Sequence, residues 1–331
     1  MQKGTLLLLE ITTPTLASGT AEDGRVSRLL DTAIQQHLAL SSEGSPLDIL
    51  LRGPYTSWAK AQETLRQLYV HTSHIVWRLN KPLCPISVLP VLASTLTIAE
   101  GHAPNPTEEA RQSYDRVLVP GQSQPWFHSL FPGPMNPQLF PIADPVPPST
   151  PPIGSNSRVT SALPDQTFSD VALGGTFDHL HEGHRLLLTM AWVYATHRLY
   201  IGVTDDTMIR SKAYVSLIEP LDTRIANVRN FFHRLSSWNL LPSASHLNIQ
   251  VKPIHDIYGT TDTDPNFKAL LVTHETIKGS EAVNARRQEE GLDPLTVLVA
   301  DLVISVDATT KMSSTTLRSW IAKEKGHLDP M

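Results

Sequence analysis

From residue 167 to residue 326, short apolar runs of strand length alternate with longer stretches whose apolar residues return every three or four positions. FSDVALGG (168–175), RLYIGVT (198–204), LNIQVKPI (247–254), FKALLVT (267–273) and LTVLVADLVI (295–304) read as strands. EGHRLLLTMAWVYAT (182–196), LDTRIANVRNFFHRL (221–235), SEAVNARRQEEG (280–291) and SSTTLRSWIAKEKG (313–326) read as helices. In the second of these, Ile225, Val228, Phe231, Phe232 and Leu235 share one face. Gly291 stops the third. Strands that alternate with helices can pair side by side only if they run parallel, each joined to the next by a helical crossover. Such a sheet gathers its ligands outside the carboxyl ends of its strands. The loop GGTFDHLHEGH (174–184) follows the first of these strands and therefore lies at that edge.

Upstream, residues 1–118 carry the same alternation on a smaller scale. TLLLLEI and LDILLRG read as strands, and SRLLDTAIQQHLAL and YTSWAKAQETLRQLYVHT as helices. They form a small α/β domain that shows no chemical motif. The Leu run near the N-terminus is closed by Glu10, which makes it a strand rather than a signal peptide. Eleven prolines between Pro120 and Pro152 separate the two parts. Because proline fixes φ and removes a donor, residues 119–166 read as a linker without regular elements. Trp126, Phe127, Leu130 and Phe131 are its apolar part, suited to docking on a domain surface. Residues 167–326 then form the second domain.

Composition narrows the functional classes. Hydrophobic residues make up 40% of the 331 residues, enough for a sizeable core, and charged residues 18%. The net charge of −5 offers no basic field for nucleic acid, so cations for an anionic ligand must be placed locally. The apolar runs are too short to span a bilayer. The one cysteine, Cys84, excludes an internal disulfide framework and fits a reducing compartment, read as the cytoplasm.

Three histidines in six positions raise the question of a metal. His181 and His184 stand three apart at a helix start, with His179 nearby, but no cysteine and no HExxH motif supply further ligands. No metal site is expected from them. A phosphate site uses more of the loop. Gly174 and Gly175 allow close backbone approach. Thr176 brings a hydroxyl and an N–H. The helix that starts near Glu182 turns its free N–H groups and positive dipole end toward a ligand. The histidines can donate to phosphate oxygens, and Asp178 orders the loop by accepting backbone N–H groups.

GTFDHLHEGH resembles the signature of the nucleotidylyltransferases, with His181-Glu182-Gly183-His184 in the place of their HxGH motif. KMSSTTLR, Lys311–Arg318, resembles their second signature, a Ser/Thr-rich loop that opens a late helix. VTHETIKGSEAVNARRQEEGLDPL (272–295), Ser211-Lys212 after VTDDTMIR, and the acidic loop HDIYGTTDTDPNFKALLVT resemble the phosphopantetheine adenylyltransferases of archaeal and eukaryotic type. The resemblance covers about residues 168–325, roughly half the chain.

This resemblance implies a Rossmann-like domain that joins ATP to 4′-phosphopantetheine, giving dephospho-coenzyme A and pyrophosphate. It implies His184, Lys212 and Thr176 as catalytic residues. It implies Gly174, Gly175, His181, His184, Gly279, Asn284, Lys311, Ser313, Ser314, Thr315 and Arg318 around ATP. Thr176, Phe177 and Lys212 would meet the second substrate, and Mg²⁺ would arrive on the ATP phosphates rather than in a protein cage. Bacterial relatives carry Arg-Gly-x-Arg where this chain has Lys278-Gly279-Ser280-Glu281, so either Arg286 or Arg287 supplies the second charge or it is absent. Residues 1–118 are a candidate docking region for a protein partner, and other enzymes of coenzyme A synthesis are candidate associates. No GxxxxGK[ST] loop occurs, so a second, kinase activity is not expected.

Competing readings are a cytidylyltransferase, a flavin adenylyltransferase, a non-catalytic nucleotide-binding scaffold and a class I aminoacyl-tRNA synthetase. KMSSTTLR lacks the Arg-Thr and Gly-Ile of the cytidylyltransferase motif. The acidic charge, and the few residues after 326, disfavour a synthetase.

Overall fold

A computed structural model describes residues 3–11, 16, 18–42, 44–53, 55, 57–91, 106–120, 127–128, 130–131, 137–143, 166–240, 246–300 and 312–326. The chain divides into two compact units. The first is Met1–Asp165 with Arg234–Ser245 and Ile304–Thr310; the second is Gln166–His233 with His246–Val303 and Lys311–Met331.

The first unit is built on five parallel strands, β1 (Gly4–Glu10), β2 (Leu47–Arg52), β3 (Ile86–Val91), β4 (Tyr114–Pro120) and β5 (Gln138–Ile142), in the order β3-β2-β1-β4-β5. Helices α1 (Ala21–Leu40), α2 (Trp58–Arg78) and the short α3 (Glu108–Gln112) connect them. Leu6, Leu7, Leu8 and Leu9 are wholly buried, as a central parallel strand covered on both faces requires. Helix α1 starts six residues before the expected Ser27. Thr20 caps it by accepting the Asp23 N–H at 3.1 Å, and Asp23 in turn accepts the Gly19 N–H at 2.8 Å.

The proline-rich stretch is not wholly irregular, contrary to the linker expectation for 119–166. Its residues 138–142 form β5, which pairs with β4 in register Val119↔Pro141. A proline is tolerated there because β5 is the edge strand of the sheet. Phe127, Leu130 and Phe131 are buried, and the rings of Phe127 and Phe131 stack at 5.2 Å. Trp126 lies outside the described residues.

The second unit has the expected alternation. Strands β6 (Phe168–Gly175), β7 (Ala195–Thr204), β8 (Asn248–Ile254), β9 (Ala269–Thr273) and β10 (Thr296–Ala300) are parallel, in the order β10-β9-β6-β7-β8. Helices α4 (Glu182–Tyr194), α5 (Leu221–Ser237), α6 (Ile277–Glu289) and α7 (Ser314–Glu324) alternate with them. Gly291, at φ +73°, ends the α6 segment in the left-handed region, as its place in the sequence predicts. The chain steps from β6 to β7 and β8 on one side, then returns to β9 and β10 on the other. The loop after β6 therefore opens at the point where strand order reverses, where open parallel sheets bind ligands.

Candidate functional site

Helix α4 begins with an unusual cap. The Nδ1 atom of His181 accepts the Gly183 N–H at 3.2 Å, which leaves the ring's Nε2 as the N–H side. A Cβ on Gly183 would sit 3.1 Å from His181 Cε1 and 3.3 Å from Nδ1. The glycine of the HxGH string is thus explained by the imidazole folded over it. The His184 ring stacks on that of His181, with centroids 3.9 Å apart and planes 25° apart. Phe177 packs behind it at 5.3 Å. His184 Nδ1 is enclosed and has no hydrogen-bond partner, so ligand contact falls to Nε2. Burial, with Arg185 and Lys212 adding to it, pushes the His184 pKa down to about 3. The imidazole is neutral near pH 7.

The loop between β6 and α4 holds two non-glycine residues in the left-handed region, Phe177 at φ +51° and His179 at φ +44°. Such strain persists only when the surroundings over-determine it. Asp178 supplies this: wholly buried, it accepts the Glu219 N–H at 2.8 Å through Oδ1 and pairs with Arg318 at 2.5 Å through Oδ2. Its carbonyl accepts the Ser314 hydroxyl at 3.0 Å. The His179 N–H donates to Glu219 Oε2 at 2.7 Å. Ligand atoms of Asp178, His179 and Glu219 lie within 4.8 Å of one another; the carboxylate oxygens accept these N–H groups, Arg318 and, at Glu219 Oε1, the Asn227 amide at 3.3 Å.

Across the sheet edge, Ser313 caps α7 by accepting the Thr316 N–H at 3.1 Å. The first N–H groups of α7 have no acceptor within the helix and face outward with its positive dipole end. The two loops meet. Gly174, Gly175, Thr176, Phe177, His181, His184, Lys212, Gly279, Ser313, Ser314, Thr315 and Arg318 all line one cleft of about 590 Å³.

The structure refines several of these roles. Phe177 is fully buried, so its side chain shapes the cleft from behind His184. Arg318 is 2% exposed and spent on Ala213 O, Asp178 and Thr315 Oγ1; it ties loops together and its charge is balanced. Asn284 is not among the residues that line the cleft; it donates to Leu295 O at 3.0 Å and accepts the Leu295 N–H at 2.8 Å, fixing the approach to β10. Neither candidate arginine is among the residues that line the cleft. Arg286 pairs with Glu289 and Glu290 on the outside of α6, and Arg287 is buried on the carbonyls of Thr261, Asp264 and Asp293. Lys311 lies outside the described residues. Sequence reasoning missed Thr204, Met208, Ile257 and His274, which also line the cleft. Thr204 ends β7 just as Thr176 follows β6, and that repeated strand-end position was its available signal.

Residues 172–319 match the family described as cytidylyltransferase-like. A phosphopantetheine adenylyltransferase of Saccharomyces cerevisiae is 37% identical over 154 residues, covering 46% of this chain and 48% of that protein. Proteins of the same description from Thermococcus gammatolerans and Methanopyrus kandleri are each 34% identical. The first match covers 49% of this chain and 92% of the relative, the second 46% and 89%. The chain thus spans nearly all of these archaeal relatives and about half the length of the yeast one.

Proposed function

The chain belongs to the phosphopantetheine adenylyltransferase family, and from that premise we propose that its second unit transfers the adenylyl group of ATP to 4′-phosphopantetheine in coenzyme A synthesis. The observation that carries the reading is the shared cleft: the β6–α4 loop, Lys212 and the start of α7 converge on one space.

The acceptor is a phosphate monoester with a second pKa of about 6, so it is largely dianionic at neutral pH and needs no strong base. One of its oxygens attacks the α-phosphorus of ATP. The bond from that phosphorus to the bridging oxygen breaks, and pyrophosphate leaves with the electron pair. The obstacles are repulsion between anions and the charge that develops on the α-phosphoryl oxygens and the leaving group. Catalysis is therefore positioning and electrostatic stabilisation. His184 donates from Nε2 to the α-phosphoryl oxygens, remaining a neutral donor throughout. His181 holds the neighbouring phosphate oxygens through Nε2. The N–H groups opening α7, with Ser313, Ser314 and Thr315 around them, take the β and γ phosphates. Thr176 and Lys212 hold the acceptor's phosphate on the opposite side. Gly279, whose Cβ position meets nothing within 4 Å, leaves room for the adenosine.

Mg²⁺ bound to the triphosphate would offset its charge. The described lining offers one carboxylate, Glu275, which suits a cation carried in by the nucleotide better than a protein cage.

The test is pyrophosphate release with ATP and CTP against 4′-phosphopantetheine, flavin mononucleotide and alcohol phosphates, with products identified by mass. Turnover with ATP and 4′-phosphopantetheine alone supports the reading. Preference for CTP favours the cytidylyltransferase, and no release with any pair favours a binding scaffold. No described helix is long and apolar enough to cross a membrane. We place the protein in the cytoplasm, to be checked by fractionation. Residues 1–118 are assigned to docking a protein partner, other enzymes of coenzyme A synthesis being the candidates. Turnover that falls when residues 1–118 are removed would count against that assignment.

A further inference from the structure

Behind the cleft wall, at the carboxyl ends of β6 and β7, lies a cation that the chemistry above does not use. Arg224, in the first turn of α5, has a wholly buried side chain. Its Nη1 donates to Thr176 O at 2.9 Å and to Thr204 O at 2.7 Å, and its Nε donates to Glu219 O at 2.9 Å. Nη2 makes no hydrogen bond and stands 3.6 Å from the exposed Asp206 carboxylate. The two residues whose carbonyls share Nη1 are also joined by their side chains: the Thr204 hydroxyl donates to Thr176 Oγ1 at 3.1 Å.

Two consequences follow for Thr176. A hydroxyl that accepts one hydrogen bond keeps its own proton for another, and the next acceptor on the cleft side is a ligand oxygen. The strand-end carbonyls, which would otherwise repel an incoming anion, have their lone pairs taken by a fixed cation. Lysine could not do this. Its ammonium is a point charge without the rigid fork needed to hold two strand ends and the Glu219 carbonyl together.

We propose that Arg224, through the carbonyls of Thr176 and Thr204, and Thr204, through its hydroxyl, are positioning residues that set Thr176 to bind the phosphate monoester of the acceptor. This rests on the reading above in which Thr176 meets the acceptor rather than ATP.

Calorimetry on the full chain tests it, titrating 4′-phosphopantetheine and, separately, ATP into wild type, Thr204→Val, Thr204→Ser, Arg224→Lys and the Arg224→Lys/Thr204→Val double variant. Thr204→Val and Arg224→Lys each weaken acceptor binding by about tenfold, the worth of one hydrogen bond to a charged group. ATP affinity stays within about twofold of wild type in both. KM for the acceptor rises while kcat at saturating acceptor is retained, a split that mere loss of fold would not produce. Thr204→Ser restores the hydroxyl and the affinity. The double variant loses less than the product of the single effects, because both act through one hydroxyl. Unchanged acceptor affinity in Thr204→Val, or acceptor and ATP affinities falling together, overturns the proposal. Should Arg224→Lys not fold, Thr204→Val leaves the guanidinium bonds in place and decides alone. Wild type that binds ATP but not 4′-phosphopantetheine refutes the parent reading, and this inference with it.

Discussion

The neutral His184 makes the acid side of this protein's behaviour predictable. Its pKa stands at about 3 in the folded chain and near 6.5 when unfolded. The unfolded state therefore binds a proton more readily, and folding is penalised as pH falls below about 6.5. The contribution is fully present above that value and is lost progressively as pH drops toward the folded pKa. At about pH 5 the unfolded imidazole is almost fully protonated and the folded one is not, which removes about 2 kcal/mol of stability from this one group. Replacing His184 with Asn removes the titration. Chemical denaturation of wild type and His184→Asn between about pH 8 and pH 5 should give curves that converge by that amount, since all other groups cancel in the difference. Histidine-labelled NMR reads the same quantity directly, with no His184 inflection expected across that range. A His184 inflection near neutrality, or parallel denaturation curves, would refute the assignment of burial beside Arg185 and Lys212 as the dominant cause.

Four further outcomes are expected. His184→Ala should lower kcat in a pyrophosphate-release assay by about 10²–10³, the loss of one preorganised donor; near-normal turnover would remove it from the mechanism. Asp178→Asn leaves the buried Arg318 cation unbalanced and should cost about 3–5 kcal/mol in urea unfolding; a change under about 1 kcal/mol would mean the pair is not buried as described. Gly183→Ala pushes against the His181 ring, 3.1 Å from the new Cβ, and should weaken ATP binding about tenfold with the fold retained. Arg287→Met strands the carbonyls of Thr261, Asp264 and Asp293 and should cost about 1–3 kcal/mol of stability with kcat unchanged, because Arg287 lies off the cleft; a large kcat loss would contradict that placement.

What was legible in the sequence had local causes. An apolar run followed by Gly-Gly and a helical period carries its own strand, turn and helix, so the parallel sheet and its ligand edge could be read from the alternation. The HxGH string and the KMSS-like string point to one site through the resemblance that carries both, and residues of both line one cleft. What was not legible depends on partners distant in sequence. Strand β5 sits among prolines, and only its position at the sheet edge makes Pro141 acceptable. Asn284 has the side chain of a ligand contact, but Leu295 presents a backbone N–H and C=O that engage both ends of its amide. Thr20 as the cap of α1 was hidden because the apolar period begins a turn and a half after it.

The arginines show the same limit in its sharpest form, and they change how the anion site should be understood. Arg224, Arg287 and Arg318 are each almost fully buried, and each spends its fork on backbone carbonyls or on Asp178. A sequence shows a cation near a motif; it does not show whether carbonyls have already claimed it. Buried on these partners, the three fix loop geometry and leave few N–H donors for a ligand. Among the described lining residues the other lysine or arginine is Lys212. Most of the attraction for phosphate must then come from uncharged donors held in place: the imidazole Nε2–H groups of His181 and His184, the Thr176 hydroxyl and the first N–H groups of α7. Such donors cost no reorganisation when charge shifts from acceptor to leaving group. A chain with a net charge of −5 therefore needs no broad basic field to carry the proposed phosphate site.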